Sequence, residues 1–261
     1  MSITPDSDPP YTVPSQSPLS RRQVVLPPDR RYQYIPLGRL AGCLTFGLLF
    51  LAFSYAGVSG LETIGNWLNP NFSDPNAFVT SHAEQYVVIA IMILAVSTLL
   101  IGLLVMIWIC MFMYRANANL RARGLKGLET SPGMCGGWWF VPIANLLKPY
   151  HAMKEIYQGS LHIGSSDWDR KDVPAVFGLW WFGWIFGNVI ARFESQSTLQ
   201  GMDLGPWLLV VSWASSILLF MSSVCLVSIV RQIREHQDNF AEGSKAPSVE
   251  TPFKKSPGTA Y

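Results

Sequence analysis

The sequence predicts an all-α integral membrane fold: four transmembrane helices, with a short interfacial or re-entrant cytoplasmic segment between the second and third. Three observations carry this. Four apolar runs reach the roughly 20 residues that cross about 30 Å of hydrocarbon at 1.5 Å per residue. Basic residues fall on alternate connections between the runs. The chain of 261 residues is 49% apolar and only 14% charged, against about 25% charged in a soluble domain, and whole stretches carry no charge at all.

Residues 1–36 are polar and rich in Pro and Ser. They lack the short apolar core and small-residue cut site of a cleavable signal, and read as a disordered cytoplasmic tail. The membrane domain is expected over 37–230. Its first span is 37–58, broken only by Arg39 near its inner edge. The outer loop that follows has no Lys or Arg; its Asn71-Phe72-Ser73 triplet fits a glycosylation acceptor and reads as a chance match. The second span, 86–113, is uncharged and longer than a crossing needs, so it should tilt or project past the membrane. The third and fourth spans are 174–193 and 207–230. Residues 231–261 read as a second disordered cytoplasmic tail.

Orientation follows from the basic residues. Residues 114–173 hold Arg115, Arg121, Arg123, Lys126, Lys148, Lys154, Arg170 and Lys171, and both tails are basic, whereas the connections 59–85 and 194–206 have no Lys or Arg. Both termini are therefore expected in the cytoplasm and the chain in the inner membrane. Tyr55, Tyr86 and Trp207 at outer ends and Tyr114 at an inner end suit the interfaces.

Apolar burial does not drive helices together in lipid, so close backbone approach matters. Gly183, Gly187 and Ala191 repeat at four-residue spacing on the third span. Ser212, Ser216 and Ser223 share one face of the fourth. These two faces are expected to pack together, with Asn188 bonding to a neighbouring helix.

The second helix should continue beyond the membrane through Arg115, Asn117, Asn119 and Arg121, which at four-residue spacings form a compact polar surface just below the headgroups. This surface could anchor the helix end by snorkelling or, with Arg123 and Lys126, bind an anionic lipid headgroup or an acidic partner. Ser131-Pro132 reads as a helix start. Residues 133–147 are too short to span and too apolar for water, which fits a re-entrant or interfacial segment that Pro142 interrupts. Asn145 is expected to satisfy backbone that Pro142 frees, with a polar-lined pore as the alternative. Trp139, Asn145 and Lys148 complete the candidate headgroup or partner contacts. An amphipathic helix follows over 150–158.

The residues exclude several classes. The four cysteines, Cys43, Cys110, Cys135 and Cys225, have no paired spacing, so neither a disulfide framework nor zinc is expected. His151 and Glu155 stand four apart without a supporting third ligand. A net charge of +2 gives no footprint for nucleic acid. No metal, cofactor or catalytic residue is assigned.

The run Arg115-Ala116-Asn117, Asn119-Leu120, Ser131-Pro132, Trp139 to Leu146, Lys148-Pro149 and Met153 to Tyr157 closely resembles bacterial membrane proteins grouped as domain of unknown function 4328. The resemblance is strongest over 114–160 and looser over the flanking helices. It implies a bacterial inner-membrane protein with several spans, and it brings no activity or catalytic residue. The expected function is a non-enzymatic sensing, scaffolding or regulatory module acting through its cytoplasmic face, in contact with the bilayer, a possible anionic lipid, a protein partner or a second copy. The alternative is a passive channel or small transporter around Pro142 and Asn145. Coupled transport is disfavoured because the four runs contain no acid, and Arg39 and Arg192 lie near their ends.

Overall fold

The computed structural model describes residues 31–70, 72, 81–200, 202, 205 and 207–243. Among these the chain is helical, without strands. Four helices are long and apolar enough to cross a membrane: α1 (Gly38–Leu68), α2 (His82–Ala122), α5 (Val176–Leu199) and α6 (Trp207–Gly243). Between α2 and α5 lie two shorter helices, α3 (Pro132–Gly137) and α4 (Lys148–Leu161), with 3₁₀ turns at Trp138–Phe140, Ala144–Leu146 and Trp168–Arg170. The end of the bundle that holds α3, α4 and Arg115 to Arg123 is the basic end. Residues 1–30, Asn71 and Ser73 of the glycosylation triplet, and the last part of the expected C-tail lie outside the described residues.

Every long helix outruns its apolar segment. α2 has 41 residues, about 60 Å at 1.5 Å per residue, twice the hydrocarbon thickness. Its start is set by Ser81, whose hydroxyl accepts the Glu84 N–H at 3.2 Å, a side-chain N-cap. α1 continues past 58 to Leu68, and its polar residues there meet their hydrogen-bonding needs on their own helix, Thr63 donating to the Ser59 carbonyl at 2.8 Å and Asn66 to the Glu62 carbonyl at 2.9 Å. α6 corrects the expected boundary at 230: it runs on to Gly243, and Ile233 and Gln237 in that extension are fully buried.

The long helices form an open row, α2–α1–α6–α5. α1 packs on α2 and α6, α6 packs on α1 and α5, and α2 and α5 do not pack along each other. The most apolar stretch of α2 is only 6% buried against 44% for α6, so α2 is the edge of the bundle and α6 its centre. The gap between α2 and α5 is closed at the basic end by Trp139. Its indole N–H reaches Met113 Sδ at 3.4 Å, and its ring meets Trp181 and Trp184 edge-on at 6.1 and 5.4 Å.

The small-residue faces pack differently from the expectation. The glycine face of α5 does meet α6: a Cβ on Gly183 would sit 2.7 Å from the Leu218 carbonyl oxygen, and one on Gly187 would sit 2.8 Å from Leu219. Ser212 and Ser216, however, face α1. Ser59 Oγ lies 2.9 Å from Ser212 Oγ and 2.8 Å from Ser216 Oγ, and Ser216 donates to the Tyr55 carbonyl at 3.0 Å. Ser222, which donates to the Trp180 carbonyl at 2.9 Å, meets α5 beside its tryptophans. It lies roughly 100° round α6 from the Ser212 face at 3.6 residues per turn. Asn188 bonds to Trp184 of its own helix and not to a neighbour.

Segment 132–147 packs on the basic end, with Trp139 set between α2 and α5. Pro142 ends regular structure, and the chain then turns in three residues: the Ala144 N–H donates to the Pro142 carbonyl at 2.7 Å, with Ile143 at φ 66° and ψ −51°. This is the rarer, strained γ-turn. The Asn145 N–H reaches the Val141 carbonyl at 2.9 Å. Main-chain turns thus satisfy the freed backbone, and the expected role of the Asn145 side chain is not seen: its Oδ1 is buried without a partner.

Gly183→Ala should cost about 1–3 kcal/mol by overpacking against main chain, lowering the melting temperature in detergent by about 2–4 °C per kcal/mol. Gly178→Ala, where a Cβ meets nothing within 4 Å, should leave it unchanged. Equal melting temperatures for the two variants would contradict this packing.

Candidate functional site

Polar chemistry at the basic end gathers into a buried joint between four segments. The last two turns of α2 are enclosed by α3, α4 and α6, and residues 116–120 are all buried. Asn119, 1% exposed, acts there as a two-sided clamp. Its Oδ1 accepts the Ile35 N–H at 3.0 Å, and its amide donates to the Ile35 carbonyl at 2.9 Å and to Gln237 Oε1 at 3.1 Å. The segment before α1 is therefore held as one strand holds another. Gln237 of α6 donates in turn to the Ala116 carbonyl at 3.1 Å and to Ser160 Oγ of α4 at 2.8 Å. Tyr157 of α4 adds a bond to Gln232 Oε1 at 2.8 Å.

Arg123 covers this joint. Its guanidinium lies over the rings of Tyr34 and Phe240, 4.5 and 4.8 Å from their centroids, and donates to the Gln237 carbonyl. Cation–π geometry of this kind strengthens when water is excluded. The Tyr34 hydroxyl donates to Asp238 Oδ1 at 2.6 Å, and the same oxygen accepts the Leu37 N–H at 3.1 Å. Burial, then the Asp238 carboxylate, holds the Tyr34 hydroxyl well above its ordinary pKa. Burial draws Arg123 below its ordinary value, opposed by the neighbouring Tyr34 and Asp238.

A second clamp fixes the loop that leads into α3. The buried Asn117 donates to the Thr130 carbonyl at 3.1 Å and accepts from Arg121 Nε at 3.0 Å. Arg121 also donates to the carbonyls of Leu128 and Thr130 at 3.2 and 2.9 Å. From the other side Glu155 accepts the N–H groups of Thr130, at 3.2 Å, and of Glu129. Burial raises the Glu155 carboxyl and these N–H donors oppose the rise. Cys135 sits beneath the clamp, fully buried, its thiol pushed up to about 12 chiefly by burial.

The expected polar surface is thus divided. Asn117 and Asn119 are buried, Arg121 holds backbone carbonyls, and Trp139 closes the helix gap. Spacing puts Arg115 and Asn119 on one helical face, but the rest of the chain covers the Asn119 end of it. Arg115 is half-buried and Lys148 is exposed. Lys148 Nζ lies 5.7 Å from the Trp138 ring centroid. Arg115 lies 5.8 Å from the Tyr114 ring centroid, and it makes no hydrogen bond or ion pair with any described residue. It lines a recess of about 360 Å³ together with Cys110, Met111, Tyr114, Gly133, Gly136 and Phe140. Beside the recess the 140–147 turn projects apolar side chains: Phe140 is 71% exposed, Ile143 84% and Leu147 62%.

Sequence reasoning missed Tyr34, Ser160, Gln237 and Asp238. One signal pointed to the last two: residues 207–242 contain neither Pro nor Gly, so nothing stops α6 at the end of its apolar run. It also missed acids at the opposite end. Because α1 and α5 run on, Glu62 and Glu194 lie on the long helices, where Ser212 donates to Glu62 Oε2 at 2.6 Å and Ser215 to Glu194 Oε2 at 3.4 Å.

A family model described as a domain of unknown function (DUF4328) matches residues 74–235, more than half of the chain. It takes in α2 through most of α6, including both clamps except Gln237, Asp238 and the segment before α1. No curated protein and no solved structure matches the chain.

Asn119→Ala removes three hydrogen bonds in the joint. It should destabilise the protein by about 1–3 kcal/mol, the cost of leaving buried polar groups unmet, and expose residues 31–37 to limited proteolysis in detergent. Wild-type protease resistance there would show that the segment is held by other means.

Proposed function

The chain belongs to the DUF4328 family, and from that premise we propose that it is a multi-pass inner-membrane protein without catalytic activity, serving as a sensing or regulatory module through a cytoplasmic face formed by its basic end. The basic segments supply the orientation: the basic stretch from Arg115 to Lys171 lies at the same end as the described residues before α1 and the end of α6, and the connections at the opposite end have no Lys or Arg. One observation carries the functional reading. The segment before α1, the end of α2, α4 and the end of α6 meet in the single joint around Asn119 and Gln237. A partner that moves the N-terminal segment or α4 therefore acts directly on helices that cross the bilayer. Such a device shifts a two-state equilibrium only by its differential affinity for the two arrangements.

A second reading, a passive channel at Pro142 and Asn145, draws on the buried, unpartnered Asn145 Oδ1. A solute flux from reconstituted protein that disappears in Asn145→Leu would favour it.

A photoreactive residue at the exposed His151 of α4 tests the regulatory reading in cells. It should trap one defined protein partner, and Asn119→Ala should change the yield. A trap that forms only from the loop between α1 and α2 would overturn the reading.

A further inference from the structure

We propose that the recess beside Arg115 binds the phosphate of an anionic phospholipid, with an acyl chain lying upward along α2. The inference rests on the reading above for the placement of this end at a membrane surface, and it names a ligand for that face.

The argument begins with what the arginines do. Arg121 is bonded to Asn117 and the backbone of the 128–130 loop, and Arg123 to Gln237 and two aromatic rings. Arg115, on α2, has no hydrogen-bond or ion-pair partner among the described residues, and its guanidinium lies 5.8 Å from the Tyr114 ring centroid. A guanidinium presents donors in a planar fork suited to phosphate. Gly133 lines the same recess without a side chain, and a Cβ there would meet nothing within 4 Å. The recess of about 360 Å³ is therefore open where a headgroup would lie.

The surroundings select a lipid over a free anion. Above the recess the outer face of α2 is bare and apolar, with Met111 49%, Ile107 54% and Leu103 59% exposed. On its flank stand Phe140 and the Ile143 tip, held outward by the γ-turn. Apolar side chains ringing a lone cation at the end of a spanning helix match the boundary between acyl chains and headgroups. Backbone strain that thrusts an isoleucine outward is stored where the exposed side chain has a use.

The test uses the full chain purified and reconstituted in nanodiscs of phosphatidylcholine with added phosphatidylglycerol. Retained lipid is counted by native mass spectrometry, with the melting temperature measured alongside. Wild type should retain phosphatidylglycerol over phosphatidylcholine and melt higher in its presence. Arg115→Gln should weaken that retention about fivefold, the contribution of one basic residue at an anionic surface. Gly133→Leu should abolish it by filling the recess while leaving the charge, and its open surroundings keep the fold intact. Arg231→Gln, an exposed cation elsewhere at the same end, should behave as wild type. Wild-type retention by both Arg115→Gln and Gly133→Leu would overturn the proposal, as would full displacement of the lipid by inorganic phosphate. The regulatory reading fails separately, through the His151 trap, since lipid retention is measured on purified protein without a partner.

Discussion

The carboxamides of Asn119 and Gln237 meet 3.1 Å apart, out of reach of water. Each has donors and an acceptor to satisfy, and burial without partners would cost more than the net gain of any one bond. Asn119 meets its need with both main-chain groups of Ile35, and Gln237 meets its own with α2 and α4. The geometry is possible only if four segments arrive at one place together. The joint thereby fixes the end of α2, the reach of α6, the seat of α4 and the entry into α1. The loop held by Asn117, Arg121 and Glu155 in turn positions α3 and the turn that carries Ile143.

The consequences extend into the bundle. α2 packs along α1 and is otherwise bare over its apolar stretch, so its position depends on Gly47, where a Cβ would lie 2.5 Å from Val105, and on its anchored end. Across the gap from α5, the four long helices and Trp139 line a cavity of about 190 Å³. A row of helices rather than a closed bundle leaves a gap between α2 and α5, and Trp139 closes it at the basic end.

The existence and order of the long helices were legible because a chain in lipid must keep its polar backbone internally bonded, and long apolar runs announce that. Their ends were not. In the polar end of α1, Thr63 and Asn66 find partners on their own helix, and in the polar tail of α6, Ile233 and Gln237 are buried by other segments. Hydropathy registers neither. The start at Ser131-Pro132 and the break at Pro142 were readable, since both are local chemistry. The division of the polar stretch 115–121 was not, because periodicity tells which residues share a face and not what covers it. Asn119 and Arg115 share that face; one became a buried clamp and the other stayed open. The serine face of α6 was found by the same periodicity and assigned to the wrong neighbour, since α1 and α5 both flank α6 and spacing alone does not choose between them.

A double-mutant cycle on Asn119→Ala and Gln237→Ala, read as unfolding free energy of the full chain in nanodiscs, tests the joint most directly. Residues in one hydrogen-bond network couple by about 0.5–3 kcal/mol, and the structure predicts a coupling in that range, with the double variant less destabilised than the sum of the singles. Strict additivity of the two substitutions would contradict it, because it would mean that the carboxamides do not act through each other.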